Sequence, residues 1–215
     1  MRPIRFIPTI AEIRAEEAGG IQGLEPVISY WTEGAYSAAE WFDEAFASWG
    51  PAGFVMRRGE EVSGFAVYGP LEYLPRAGRY PLGPLDEDCA LLAYLQGDPR
   101  TRRHLLARVM RDLRLRGFSG VEAIASDLGR SRHVSTAFLS ESGWKPVRRG
   151  LGTGSPYTLM RADFGSIVEV GVFARELVGR VKLPVLKAPV PNHPSSALAE
   201  AAASVKAIRA QERRS

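Results

Sequence analysis

Residues 88–117, DCALLAYLQGDPRTRRHLLARVMRDLRLRG, decide the predicted fold. The apolar run 89–95 has the length of a buried strand, and the pair Asp98-Pro99 ends it. Apolar residues then recur at the spacing of one helix face until Gly117: Leu105, Leu106, Val109, Met110 and Leu113. The stretch predicts a strand, a tight loop and a helix, a unit that often places a helix N-terminus beside a phosphate.

Three arginines, Arg100, Arg102 and Arg103, fall at the start of this predicted helix. Cations at that end oppose the helix macrodipole, at about 0.3–1 kcal/mol each when exposed. One interpretation is a solvated basic surface. The other is a site for a phosphorylated ligand, and the pattern leaves both open.

Composition predicts one globular domain with or without appendages, because the 215 residues are 45% hydrophobic and 24% charged. The net charge of +4 and the pI near 9.4 are mildly basic and do not establish nucleic-acid binding. Cys89 is the only cysteine, which rules out an internal disulfide and favours a reducing compartment. With no apolar run of membrane-spanning length and no signal-peptide pattern, we expect a cytoplasmic protein without a membrane partner.

Before the opening stretch, we expect a strand at 4–7 and a helix over 10–18 that Thr9 caps. Residues 23–34 look irregular. Ser37 is a good N-cap for a helix over 38–50 with an apolar aromatic face. A hairpin of strands 53–57 and 62–68 follows, in which Gly64 predicts a bulge or a close backbone approach. Residues 69–84 form a loop rich in proline and glycine.

After Gly117, the segment 120–126 predicts a strand parallel to 89–95, since a strand-helix-strand unit is right-handed and parallel by default. A short helix over 134–142, a strand over 144–149, a turn at 151–156 and a strand over 157–162 complete the domain. The remaining chain divides into an amphipathic helix (164–182), a proline-rich linker (183–196) and an alanine-rich helical or disordered tail (197–215).

The order of these elements and the residues that fill them resemble the GCN5-related N-acetyltransferases, the GNAT superfamily. The resemblance covers roughly residues 6–163 and rests on EVSGFAVYGP (61–70), ALLAYL (90–95), LLARVMRDLRLRGFSGVEAIAS (105–126) and AFLSESGWKPVRRG (137–150). The segments at 39–56 and 68–95 look like an uncharacterised bacterial branch. The resemblance implies an α/β fold with a mixed sheet over residues 1–163, followed by the C-terminal helical appendage.

The resemblance implies acetyl-CoA, or another acyl-CoA, as co-substrate and transfer of its acyl group to an amine. In this family the loop after the fourth strand binds the CoA pyrophosphate through backbone N–H groups between glycines. Arginine or leucine stands at both glycine positions here, in either register that aligns the loop. By resemblance, the cofactor-binding residues are Leu95, Gln96, Gly97, Arg100, Thr101, Arg102 and Arg103, with arginine side chains in place of the glycine backbone.

Catalytic residues are sparse. Leu139 stands where many relatives have a tyrosine that protonates the leaving thiolate. Asp88 and Glu122 are our candidates for a general base that deprotonates the amine, with Glu87, His104 and His133 as alternatives. The three histidines and one cysteine offer no metal-ligand spacing, so no metal is expected.

Three functions remain open from the sequence. The first is an acyl-CoA-dependent N-acetyltransferase whose acceptor is an amine of a small molecule or a protein. The second is a catalytically inactive GNAT scaffold, a pseudoenzyme, that serves as a binding or assembly module, as the lost glycines and Leu139 would allow. The third and most remote is a binder of nucleic acid or another polyanion through the arginines, although no recognition motif accompanies them. A homodimer is compatible with each.

Overall fold

A computed structural model of the chain describes residues 7–152 and 154–165, which form seven strands and five helices. The strands are β1 (Thr9–Glu12), β2 (Gly53–Arg58), β3 (Glu61–Gly69), β4 (Cys89–Leu95), β5 (Gly120–Ser126), β6 (Lys145–Gly152) and β7 (Ser155–Asp163). The helices are α1 (Ala15–Ala18), α2 (Leu24–Trp31), α3 (Ala38–Ser48), α4 (Pro99–Leu115) and α5 (Thr136–Glu141). The predicted C-terminal helix, linker and tail lie outside the described residues, as does nearly all of the strand predicted at 4–7.

The strands form one mixed sheet in the order β1-β2-β3-β4-β5-β7-β6. Among the seven strands of the described residues, only β4 and β5 pair in parallel, and α4 connects them as the crossover helix. Helices α1–α3 pack on one face of the sheet through a core that includes Trp31, Trp41 and Phe42. Helices α4 and α5 cover the other face through residues such as Leu105, Val109 and Leu139. The predicted mixed α/β fold is confirmed.

Elements with a strong apolar period were predicted well. Strands β4 and β5 have the expected bounds, and the expected apolar face of α4 is almost wholly buried. Ser37 caps α3, because its hydroxyl accepts a hydrogen bond from the Glu40 backbone N–H. At Gly64 a β-carbon would collide with the carbonyl oxygen of Gln96, which confirms the close backbone approach.

The N-terminal helix prediction was wrong. Thr9 does not cap a helix; it begins β1, which pairs antiparallel with β2, and only the short α1 is helical. Pairing with the neighbouring strand overrides the weak helical preference of this segment.

The irregular structure predicted for residues 23–34 is wrong, because residues 24–31 form helix α2. Helix α2 buries Leu24, Val27, Ile28 and Trp31, which recur at helical spacing, and its Pro26 lies in the first turn. Gly23, at φ 85°, provides the left-handed conformation from which this helix begins. The proline and the glycine suggested a loop, although the apolar residues recur at helical spacing.

The predicted bounds after β5 need smaller corrections. Helix α5 is shorter than 134–142, and β6 and β7 extend through most of the expected turn at 151–156. The two strands pair as far as Gly152↔Ser155, so backbone hydrogen bonds hold residues whose composition suggested a loop.

The long loop 69–84 is ordered by contacts with the helices beneath it. It contains two short 3₁₀ turns, Leu71–Tyr73 and Pro75–Arg79. The indole N–H of Trp41 donates to the carbonyl oxygen of Tyr73 at 2.9 Å, and Arg79 forms an ion pair with Glu33. The loop is therefore a fixed cover over the α1–α3 face.

Within the described ranges, none of the helices has the length and apolar character needed to cross a membrane. The same ranges contain no cluster of three or more histidine, cysteine or acidic side chains arranged to hold a metal ion.

Candidate functional site between the fourth and fifth strands

The parallel strands β4 and β5 part soon after they meet. They pair at three positions only: Cys89↔Gly120, Ala90↔Val121 and Leu91↔Glu122. Beyond these, β4 stays hydrogen bonded to β3 as far as Leu95, and β5 stays bonded to β7 as far as Ser126. A gap therefore opens in the sheet toward the C-terminal ends of both strands, where ligands of open α/β sheets commonly bind.

A bulge in β4 borders this gap. The pairing with β3 passes from Tyr68↔Leu92 to Val67↔Tyr94, so Ala93 is an extra residue. The bulge resets the side-chain alternation and leaves both Ala93 and Tyr94 packed on the α1–α3 face. The ring of Tyr94 lies 5.8 Å from that of Phe65, between centroids.

The loop from β4 to α4 is tight. The Gln96 N–H donates to the Phe65 carbonyl oxygen at 2.8 Å, and Gly97 has φ 129°, a left-handed conformation that favours glycine. Asp98 then caps α4, since its carboxylate accepts from the Thr101 N–H at 2.8 Å. This backbone hydrogen bond is the main cause that lowers the pKa of Asp98. The anion expected at this helix start is therefore supplied in part by the protein itself.

The three arginines at the start of α4 differ in exposure. Arg100 and Arg103 are exposed, whereas Arg102 is half-buried with its guanidinium carbon 4.6 Å from the centroid of the Phe138 ring. The Nε of Arg102 is buried and has no hydrogen-bond partner. Over the described part of the chain, none of the three forms an ion pair with a carboxylate. The group of donors fits a polyphosphate, which guanidinium side chains bind bidentately.

Other arginines of α4 already have partners within the protein. Arg116 stacks on Trp49 at 3.6 Å and donates to the Trp49 and Pro51 carbonyl oxygens, while Arg108 lies over the Phe54 ring. Arg108 and Arg116 belong to the arginines through which the chain would bind a polyanion. Their side chains anchor the helix and leave a smaller basic surface.

The charges of two arginines act on Tyr94, which follows the bulge in β4. Burial raises the pKa of its half-buried phenol, and the charges of Arg102 and Arg132 act in the opposite direction. Arg102 belongs to α4 on one face of the sheet, and Arg132 belongs to the segment between β5 and α5.

The two candidate bases occupy different environments. Glu122 is 3% exposed and lies at the last paired position of β5, where the gap begins. Its Oε2 accepts from the Asp86 N–H at 3.0 Å, and its Oε1 lies 3.6 Å from Arg161 Nη1. Burial is the main cause that raises the pKa of Glu122. Asp88 is exposed and precedes β4, at the end of the strand away from the α4 loop.

The alternative candidates lie apart from one another. Glu87 is exposed, and His104 donates from Nδ1 to the Arg100 carbonyl oxygen at 2.8 Å within α4. Leu139 is fully buried in the core beneath α5 and offers no proton.

His133 belongs to a group of side chains that sequence reasoning did not assemble. This aromatic cluster lies over the end of β5 on the α1–α3 face and consists of Tyr30, Trp31, Tyr80, His133 and Tyr157. Its members come from α2, the long loop, the β5–α5 segment and β7. No signal in the sequence joins positions so far apart.

The hydrogen bonds of the aromatic cluster form a chain in which each group donates to the next, from Tyr30 to the Ser131 carbonyl oxygen. His133 Nδ1 lies 3.2 Å from the Ser131 carbonyl oxygen, which can only accept, so this nitrogen carries the proton. His133 Nε2 then accepts from the Tyr80 hydroxyl at 2.6 Å, and the Tyr80 oxygen accepts from Tyr30 at 2.6 Å. Burial is the main cause that lowers the pKa of His133 to about 4. The imidazole is therefore neutral at physiological pH.

Comparison with known proteins identifies the fold. No protein-family model matches the chain, and no curated protein matches it. Among solved structures, the chain is similar to a protein of Salmonella typhimurium that is described as an acetyltransferase and was solved with its cofactor acetyl-CoA. The similarity covers 73% of this chain and 93% of that chain, at 15% identity and a TM-score of 0.53. The chain also matches an N-acetyltransferase of Staphylococcus aureus (15% identity, TM-score 0.52, 98% of that chain). A third match is a ribosomal-protein-alanine N-acetyltransferase of Brucella melitensis (16%, TM-score 0.51, 99% of that chain).

These similarities confirm, for the fold, the resemblance that the sequence suggested: the described residues adopt the fold of the GNAT acetyltransferases.

Proposed function

We propose that this GNAT-fold protein is an acyl-CoA-dependent N-acyltransferase that transfers an acetyl group from acetyl-CoA to an amine. The observation that carries the proposal is the gap between β4 and β5, which opens beside a helix start bearing three arginines without carboxylate partners. The acetyl-CoA bound to the Salmonella protein of similar fold supports the same co-substrate. Bound acetyl-CoA supplies an activated acyl group, and alignment with the amine then provides much of the rate enhancement.

The α4 loop holds the pyrophosphate in this proposal. Leu95, Gln96 and Gly97 form the floor of the loop, and Thr101 lies in the first turn of α4. The side chains of Arg100, Arg102 and Arg103 bind the phosphate oxygens, because the Asp98 carboxylate already accepts the Thr101 backbone N–H. Binding by guanidinium groups replaces binding by glycine backbone.

Glu122 accepts the proton of the acceptor amine. Its carboxylate lies where the gap begins, and its raised pKa makes it a stronger base than an exposed glutamate. Asp88, exposed before β4, stays a second candidate base for an acceptor that approaches from that side.

Tyr94 donates a proton to the leaving thiolate. Position 139, where related enzymes have a tyrosine, is a buried leucine here. Tyr94 provides a phenol at the gap from β4 instead, and the Arg102 and Arg132 charges would stabilise the phenolate after the proton has moved.

Turnover of acetyl-CoA tests the proposal. Thiol release is measured with a panel of amines that includes amino acids, polyamines and peptides with free N-termini. We expect release that depends on one class of amine, with roughly a hundredfold loss in Glu122→Gln, as for removal of a general base. Binding of acetyl-CoA without release for any amine would reject the enzyme.

That negative result is what a binding or assembly module would give, and two observations favour this second candidate. The Asp98 carboxylate places a negative charge where family members bind pyrophosphate, and Leu139 removes the usual proton donor. The two candidates differ in turnover alone, so the amine panel decides between them.

A further inference from the structure

Two guanidinium groups lie over one ring of the aromatic cluster. The guanidinium carbon of Arg76 is 4.0 Å from the centroid of Tyr30, and that of Arg132 is 5.3 Å from the same centroid. The charge of Arg76 acts on Glu33, but the Glu33 carboxylate already accepts a hydrogen bond from Arg79. As far as the chain is described, neither Arg76 nor Arg132 forms an ion pair.

One buried donor of Arg76 and one of the aromatic cluster lack partners. Arg76 Nε and the indole Nε1 of the fully buried Trp31 make no hydrogen bond. A buried donor without a partner is unfavourable and calls for an explanation. The Nε of Arg76 belongs to a cation beside the cluster, and an anion is the ligand that would satisfy it.

The backbone at Arg132 is strained. Its φ of 69° lies in the left-handed region that non-glycine residues rarely adopt. Strain of this kind concentrates at functional sites, where it fixes the direction of a side chain. Here the strained residue is one of the two cations over Tyr30.

The remaining polar groups of the aromatic cluster supply no negative charge. His133 is neutral, and burial raises the pKa of Tyr80 so that its phenol keeps its proton. The positive charge of Arg76 and Arg132 is therefore not balanced by the side chains that line the cluster.

We propose that the aromatic cluster binds the carboxylate of an acceptor that carries both an amine and a carboxylate, with Arg76 and Arg132 as its anchors. The inference rests on the proposed function, because it assigns the substrate class of that site. Tyr94 and Glu122 lie on the same face of the sheet as the cluster, so an acceptor held there can direct its amine toward the gap. The aromatic rings suit an acceptor with an apolar side chain, such as an apolar amino acid.

Matched pairs of ligands test the inference on the free protein. The probes are L-phenylalanine with phenethylamine and L-leucine with isoamylamine, which differ within each pair by the carboxylate alone. Binding is measured by titration calorimetry without acetyl-CoA. We expect an amino acid to bind roughly tenfold or more tightly than its decarboxylated partner, since a charge-assisted hydrogen bond contributes about 1.5–3 kcal/mol.

Variants assign the effect to the two arginines. Arg76→Gln and Arg132→Gly should each remove the preference for the carboxylate; glycine at 132 also relieves the backbone strain. In turnover with acetyl-CoA, the same variants should raise the KM for the amino acid while kcat changes little. Arg111→Gln is the control, because Arg111 is exposed on α4, which packs on the other face of the sheet.

Equal binding of both members of each pair, or an equal loss in Arg111→Gln, overturns the inference. Acetyl-CoA binding, measured on every variant, shows that the variants are folded. Failure of the proposed function looks different: amino acids would bind the free protein with the expected preference, yet acetyl-CoA would not be turned over. Turnover with amines that lack a carboxylate, and with no amino acid, would preserve the proposed function and remove this inference.

Discussion

His133 is buried in a neutral form at the centre of the aromatic cluster, and this makes stability depend on pH. Its pKa is lowered to about 4, whereas an exposed histidine titrates near 6.5. Between these values the unfolded chain binds a proton that the folded protein excludes, so stability is retained above about pH 6.5 and lost as the pH falls toward 4. The wild type should lose about 2 kcal/mol of unfolding free energy through this group between about pH 7 and pH 5.

Denaturant unfolding at both pH values measures this loss. The His133→Gln side chain cannot titrate. Over the same pH interval, the free energy of unfolding of this variant should therefore fall by about 2 kcal/mol less than that of the wild type. The difference between the two proteins is the informative quantity, because other groups titrate in both. Parallel losses in the two proteins would refute a neutral buried His133.

The role proposed for Tyr94, to donate a proton to the leaving thiolate, is tested by removing its hydroxyl. Tyr94→Phe removes the phenolic proton but keeps the ring that packs near Phe65. We expect kcat to fall by roughly 10²-fold, with a nearly unchanged KM for acetyl-CoA. The exposed Tyr36, changed to phenylalanine, is the control. Unaltered kcat in Tyr94→Phe would exclude this role and leave solvent as the proton donor.

For single residues, the sequence predicted which charged side chains belong to the site better than it predicted how the other side chains are placed. The arginines beside Pro99 and the candidate Glu122 are visible in the chain as written. The orientation of Tyr94 depends on a bulge at Ala93, which alternation in the sequence does not reveal. The aromatic cluster joins residues from four distant segments, so only the folded chain brings them together.

The cap of α4 is the clearest test at the scale of elements. Asp98→Asn keeps a side-chain oxygen that can accept from the Thr101 N–H, whereas Asp98→Ala removes the cap at a cost of about 1 kcal/mol of stability. Both variants remove a negative charge beside the arginines. If the loop binds pyrophosphate, both should bind acetyl-CoA more tightly than the wild type, and Asn should do so with little loss of stability.

Calorimetric titration with acetyl-CoA and thermal unfolding separate the two effects. Weaker binding in Asp98→Asn would mean that the carboxylate assists the ligand rather than repels it. The proposed repulsion between Asp98 and a pyrophosphate bound at the α4 loop would then be wrong.

Packing between β3 and the α4 loop predicts a second effect. A β-carbon at Gly64 would collide with the Gln96 carbonyl oxygen and lie against Thr101, so Gly64→Ala must displace the loop. We expect a loss of about 1–3 kcal/mol of stability, as for overpacking, together with weaker acetyl-CoA binding. Gly69→Ala in the same strand meets its nearest atom at 3.7 Å and should be tolerated. Equal effects of the two substitutions would contradict the close approach.

The elements that the sequence predicted correctly are those with a strong period. Strand β4, helix α4 and strand β5 form one local unit whose apolar residues follow the periods of their structures. Strand β1 was missed because its stability comes from pairing with β2, which lies about forty residues away in the chain. Tertiary pairing of this kind leaves only a weak local signal.

For the whole molecule, the sheet order with parting central strands was predictable only through the resemblance. Composition and period predicted a globular chain with a series of strands and helices, but not that β4 and β5 separate after three pairs. The separation follows from strands that are held by different neighbours, β3 on one side and β7 on the other. The proposed acyltransferase and its carboxylate-bearing acceptor rest on the gap, the α4 arginines and the aromatic cluster.

The central claim is that arginine side chains at the start of α4 bind acyl-CoA in place of a glycine backbone. Titration calorimetry of acetyl-CoA against the wild type, an Arg100→Gln, Arg102→Gln, Arg103→Gln triple variant and an Arg111→Gln, Arg114→Gln control tests it most directly. Saturable binding by the wild type and control, weakened at least roughly tenfold in the triple variant, is the predicted result. No binding by the wild type, or equal binding by the triple variant, would contradict the claim.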